Sequence, residues 1–352
     1  MKESVRRYDI DWLRVMAIGL LILYHIGIGF QPWGVFIKFI QNDKSLESLW
    51  IPMSMLNIWR IPLLFFVSGM GVCFALRKRK WKQLILERTQ RILIPFIFGI
   101  FFIVPLHIIL WQKYYSQGVT YSPGIIHLWF LGNIFIYVIL LSPLFFRMKK
   151  NENGKLKRLL DKLYKSPAGL ISIALPFILE TLIVNPDSFE TYSLTFHGFM
   201  IGLLAFFFGF TAIYCGNEFW NSALRWRWAF LAAAIGMFMV RLLIFDLKPP
   251  HYILPVESIS WILSAFGFAY RHLNRPGKVL RYLSRAAYPV YITHMVFLYL
   301  GSYFIFPLSM PAGIKLILMI VFTTLSCFVF YDLIIRRIKY IRPLFGLTID
   351  NE

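Results

Sequence analysis

Apolar runs long enough to cross a hydrocarbon core recur along this chain, separated by short polar stretches. Ten of them fall near residues 10–30, 54–76, 92–111, 125–146, 167–185, 197–214, 226–245, 254–272, 287–306 and 312–335. Runs of this length predict transmembrane helices, because a helix satisfies its own backbone hydrogen bonds where no water is available. The pattern therefore predicts an all-α polytopic integral membrane helix bundle of about ten transmembrane helices, forming a single membrane-embedded domain over residues 1–352 with no soluble domain. Proline interrupts several runs, at Pro62, Pro105, Pro176 and Pro289, and packed membrane helices tolerate this when neighbours re-satisfy the freed carbonyls. The longest hydrophilic stretch, from Arg147 to Pro167, predicts one short surface helix with Leu156, Leu159, Leu160 and Leu163 on its apolar side.

Cations alternate with the runs. The N-terminus (Lys2, Arg6, Arg7), the loop Arg77 to Lys82, the stretch Arg147 to Lys165, the stretch Arg271 to Arg285 and the tail Arg336 to Lys339 are basic, whereas residues 185–196 carry no Lys or Arg. The positive-inside rule then places both termini in the cytoplasm, and an even number of spans, which keeps the two ends on one side, agrees with it. Composition agrees with a membrane protein: 58% of residues are hydrophobic and 18% aromatic, and the mean hydropathy is +0.64. The net charge of +20 is spread over every second loop, facing anionic lipid, so nucleic-acid binding is not expected. The first run carries Arg14 and His25 and has no small-residue cleavage site, so it is expected to remain as a span. Cys73, Cys215 and Cys327 lie in or beside apolar runs without paired spacing, which suggests neither disulfides nor a metal site.

Within the first run, Arg14 and His25 are eleven residues apart. At about 100° and 1.5 Å per residue a helix returns both to nearly one face, roughly 16.5 Å apart along the axis. Ionisable residues at membrane depth are expensive, and a functional role is the default hypothesis for them. Arg60, His107, His127, Glu180, His197, Arg241, Glu257, His294 and Asp332 also fall in or near spans, where snorkelling or structural pairing is the commoner fate. Arg88 and Arg91, at i and i+3, share a helix face at the mouth of the third span; guanidinium forks suit phosphate oxygens, although such a pair also serves as a positive-inside anchor.

An ordered set of motifs resembles the membrane acyltransferase 3 family: Tyr8-Asp-Ile-Asp11-Trp12-Leu-Arg14 with Tyr24-His25, Trp59-Arg60-Ile-Pro62 through Ser68-Gly69, Arg88-Thr-Gln-Arg91, His127-Leu-Trp129-Phe130, and Ser284 to Tyr288 with Tyr291-Ile-Thr-His294. Trp12-Leu-Arg14, Pro32-Trp33-Gly34, the Trp59 to Gly69 block and His127 to Phe130 most resemble the branch containing the succinyltransferase of osmoregulated periplasmic glucans. The resemblance implies a multi-pass protein of the bacterial cytoplasmic membrane that moves an acetyl or succinyl group from cytoplasmic acyl-coenzyme A to a hydroxyl of a periplasmic or cell-surface glycan. Acyl-coenzyme A would be a co-substrate, with no bound cofactor. It further implies that His25 is catalytic, Arg14 its partner, and Arg88 and Arg91 donor-binding.

On that basis His25 is expected to act as general base toward the acceptor hydroxyl, with a transient acyl-histidine as the competing route. Tyr24, Arg60, Trp129 and His294 stand at similar depth as oxyanion donors. Asp11 belongs to the supporting set through its motif. His127 and Trp129 are assigned to the acceptor side, while Glu180, Glu257 and Arg241 either pair across helices or line the acceptor path. A secondary transporter or flippase for a glycan or lipid-linked intermediate is the alternative class, since buried His, Glu and Arg also serve proton relays.

Overall fold

The computed structural model describes residues 6–152 and 154–349, and all regular structure among them is helical. We label the long helices α1 (Tyr8–Ile28), α2 (Glu47–Lys78), α3 (Trp81–Tyr114), α4 (Ile126–Lys150), α5 (Pro167–Val184), α6 (Phe196–Cys215), α7 (Asn217–Leu243), α8 (His251–His272), α9 (Lys278–Ile305) and α10 (Ala312–Ile335). Nine of these are long and apolar enough to cross a membrane. The remaining one, α9, is 28 residues long; Lys278, Arg281 and Arg285 lie in its first turns, and it becomes apolar beyond them. The protein is thus an all-α, multi-pass membrane bundle. Its helices exceed the apolar runs at several ends. The third begins at Trp81 rather than near residue 92, because hydrophilic turns extend the helix beyond its apolar part.

The chain packs as two compact units. Of the described residues, the first holds those up to 17, 54–86 and those of 133–284, and the second holds 18–53, 87–132 and those from 285 onward.

In the first unit, α2 and α6 meet backbone to backbone. A Cβ on Gly69 would overlap the Phe206 carbonyl, and one on Gly209 would overlap the Phe66 carbonyl. Lipid supplies no hydrophobic drive between helices, so such close approach at small residues is how membrane helices gain packing energy. Pro62 removes the N–H that would bond the Ile58 carbonyl. That oxygen accepts instead from the Ser258 hydroxyl at 2.9 Å and the Tyr192 hydroxyl at 3.1 Å. The surface helix forms over Lys155–Tyr164, but Leu156 and Leu159 are exposed while Leu160 and Tyr164 are buried. The Tyr164 hydroxyl docks on Thr211 Oγ1 at 2.7 Å.

The second unit shows the same economy around Pro105. The Phe101 carbonyl, one turn earlier, accepts from the Tyr121 hydroxyl at 2.8 Å. Along its length α3 widens into π-helical turns at Thr89–Leu93 and Gly99–Ile103, a feature frequent at functional sites. The C-terminal segment Lys339–Phe345 folds back on α3, and Gly346, at φ 73°, fits against the Tyr288 ring and the Arg91 carbonyl. A left-handed φ and so close an approach both call for glycine.

Candidate active site

Four imidazoles gather in the second unit. His25 projects from α1, His294 from α9, His107 from α3 and His127 from the start of α4. His107 and His294 are fully buried, His127 nearly so, and His25 half-buried. His25 Nδ1 lies 2.9 Å from His294 Nε2. The two ring planes differ by only 3° and their centroids are 5.2 Å apart. His294 Nδ1 donates to the Tyr291 carbonyl at 2.6 Å, a short reach along its own helix because the residues are at i and i−3.

His127 extends the cluster by a different geometry. Its ring stands at 87° to that of His294, with centroids 5.4 Å apart, so these two pack edge to face and do not share a proton in plane. His127 Nε2 donates to the Ile292 carbonyl at 3.1 Å, and its own carbonyl accepts from the Tyr291 hydroxyl at 2.6 Å. Its Nδ1 is buried with no hydrogen-bond partner among the described residues. Immediately before it, Ile126 sits at φ 32°, a strained conformation for a β-branched side chain and of a kind that clusters at functional sites. His107 packs edge to face on both His127 and Tyr299. The Tyr299 hydroxyl donates to the Lys38 carbonyl at 2.8 Å. Trp129 is buried two residues after His127, and Tyr24 is buried beside His25.

Arg88 and Arg91 belong to the same unit, within and just before the first π-helical turn. Arg91 remains 45% exposed and is ion-paired with Glu87 at 3.4 Å.

Other predicted residues lie in the first unit. Arg14 is on α1 with His25, and α1 is unbroken, so their helical spacing holds. The counter-ion of Arg14 is Asp11, at 3.6 Å, which Arg6 also holds at 2.9 Å. Arg60 is buried and donates to Asn57 Oδ1 at 3.0 Å. Glu257 pairs with Arg241 at 3.0 Å, and Arg241 also bonds the Ser54 carbonyl at 3.2 Å. Glu180 receives His197 Nδ1 at 2.9 Å, while His197 Nε2 faces the Phe189 carbonyl at 3.0 Å. Asp332, in the second unit, forms an ion pair with Arg336 at 3.3 Å. Sequence reasoning passed over Tyr299 and the two contacts of Tyr291, whose carbonyl accepts from His294 and whose hydroxyl donates to the His127 carbonyl. The available signal was that a tyrosine this deep needs a hydroxyl partner.

A polytopic bundle of apolar helices with interacting buried histidines defines an integral membrane protein. The family model described as "Acyltransferase domain", that of acyltransferase family 3, matches residues 7–332, and the chain belongs to this family. It is a membrane acyltransferase. No curated protein and no solved structure matches it.

Proposed function

We propose that this acyltransferase moves an acetyl or succinyl group from cytoplasmic acyl-coenzyme A to a hydroxyl of a periplasmic or cell-surface glycan, as the glucan-succinylating branch does. It would act in the bacterial cytoplasmic membrane with both termini in the cytoplasm. The observation that supports this best is the in-line contact of His25 with His294, which presents a held imidazole where an uncharged base is needed.

His25 takes the proton of the acceptor hydroxyl as its oxygen attacks the thioester carbonyl. The tetrahedral intermediate collapses with cleavage of the carbon–sulfur bond. The proton passes from His25 to the departing coenzyme A thiolate, so the products are ester and thiol and the ring returns to its starting state. Arg88 and Arg91 hold the phosphates of the donor, and Arg14 with Asp11 supports the N-terminal end of α1. The buried Nδ1 lone pair of His127 accepts from a sugar hydroxyl, and Trp129 lies beside it in sequence as an aromatic face. Arg60, Glu180 and Glu257 are the remaining supporting candidates.

The test is coenzyme A release by purified protein in lipid vesicles, with acyl-coenzyme A inside and glucan outside. Wild type should release thiol only with acceptor present, and His25→Ala should insert normally yet release none. Acceptor-dependent turnover by His25→Ala would overturn the assignment, and glycan movement without thiol release would indicate a transporter.

A further inference from the structure

The hydrogen bonds around His25 dictate which nitrogen does the work. A carbonyl oxygen only accepts, so the Tyr291 carbonyl requires a proton on His294 Nδ1. In a neutral ring that leaves His294 Nε2 with a lone pair, and the partner 2.9 Å away, His25 Nδ1, must then supply the proton. The ring geometry supports a true hydrogen bond. With planes 3° apart, a centroid separation of 5.2 Å equals the nitrogen–nitrogen distance plus about one ring radius on each side, so the rings meet edge to edge in nearly one plane. They are not stacked face on face.

We infer that His294 is a positioning residue: anchored by the Tyr291 carbonyl, it fixes His25 as the Nδ1–H tautomer and thereby makes Nε2, on the opposite side of the ring, the atom that accepts the substrate proton. The relay ends there. His127 crosses His294 edge to face and spends its own Nε2 proton on the Ile292 carbonyl. The dyad therefore differs from a serine-protease triad, in which a carboxylate orients the histidine and also stabilises its cation. Here the orienting group is neutral, and the proton that His25 gains stays on His25 until the thiolate removes it.

This inference rests on the role of His25 as base, and the tests separate the two. His294→Ala should lower kcat about 10- to 100-fold while KM for acyl-coenzyme A stays within about twofold. His294→Gln, whose amide oxygen accepts from His25 Nδ1–H, should recover at least part of that loss. The pH–rate profile of His294→Ala should be displaced from that of wild type, which a purely structural defect would not do. Nitrogen-15 histidine spectra of wild type in nanodiscs, assigned by loss of the signal in His25→Ala, should show a protonated Nδ1 and an unprotonated Nε2 for His25. That measurement stands even if His294→Ala fails to fold. Unchanged kcat and pH profile in His294→Ala, or an Nε2–H tautomer in the spectra, would overturn the positioning role; His25→Ala inactive in the same assay would leave the base assignment in place.

Discussion

Arg241→Met separates structure from function at the buried ion pair of the first unit. Arg241 and Glu257 are 2% and 1% exposed, and their side chains meet at 3.0 Å between α7 and α8. The same guanidinium group reaches the Ser54 carbonyl on α2, with Glu190 at 4.0 Å. Replacing Arg241 alone strands a desolvated carboxylate, at a cost of about 3–5 kcal/mol for the broken pair. In thermal unfolding in detergent, followed by fluorescence-detected size exclusion, this corresponds to a fall on the order of 10 °C. Glu257→Leu should destabilise comparably by stranding the cation. The double variant should recover most of the loss, because a buried pair replaced by apolar groups of similar volume is often neutral. Coenzyme A release by that double variant then decides whether Glu257 has an acceptor role: a stable protein with normal KM for glycan shows a structural pair, and a stable protein with strongly raised KM shows a binding group. Arg241→Met as stable as wild type within about 0.5 kcal/mol would refute the reasoning.

Arg91→Lys keeps the charge but loses the fork; KM for acyl-coenzyme A should rise about tenfold with little change in kcat, read from initial rates of thiol release. Gly69→Leu should drive α2 and α6 apart at the Phe206 carbonyl and leave little folded protein, measured as the monodisperse fraction after extraction. Burial pushes the Tyr164 phenol, on the surface helix, well above its ordinary value. Its neutral form is thus favoured by folding, and its contribution is intact below the unfolded pKa of about 10 and declines as pH rises beyond it. Tyr164→Phe should therefore lower thermal stability at pH 8 through loss of the Thr211 contact, by about 1 kcal/mol, and show a shallower decline between pH 10 and 11.

Hydropathy alone shows the architecture because lipid allows few alternatives: a run that crosses must be helical, and the run count and cation alternation agree. Where helices end is less legible. The turns from Trp81 to Arg91 are hydrophilic yet helical, and nothing in an apolar window detects them. The site was legible one residue at a time. His25 and His294 each stand out as polar groups at depth, but their contact joins positions 269 apart in sequence and depends on how α1 meets α9. Helical periodicity paired His25 with Arg14, its partner on the same face; it cannot register a partner on another helix. Likewise His197 and Glu180 were separate candidates until the loop between α5 and α6 brought them to 2.9 Å.

Those contacts divide the buried polar residues into two kinds, and the division bears on function. Glu180 with His197, and Glu257 with Arg241, are acid–base partners that meet side chain to side chain inside the first unit. Such pairs answer the cost of burial by themselves and need no substrate to explain them. The second unit is different. Its four imidazoles contact one another, backbone carbonyls and aromatic rings. A buried lone pair on His127 with no hydrogen-bond partner among the described residues is costly. The cost is intelligible if a hydroxyl-bearing molecule completes the arrangement during turnover. His127→Leu, close in volume and free of the lone pair, should then be at least as stable as wild type while losing about tenfold or more in kcat/KM for the glycan. A variant that is both less stable and kinetically normal would make His127 a packing residue and move the acceptor elsewhere.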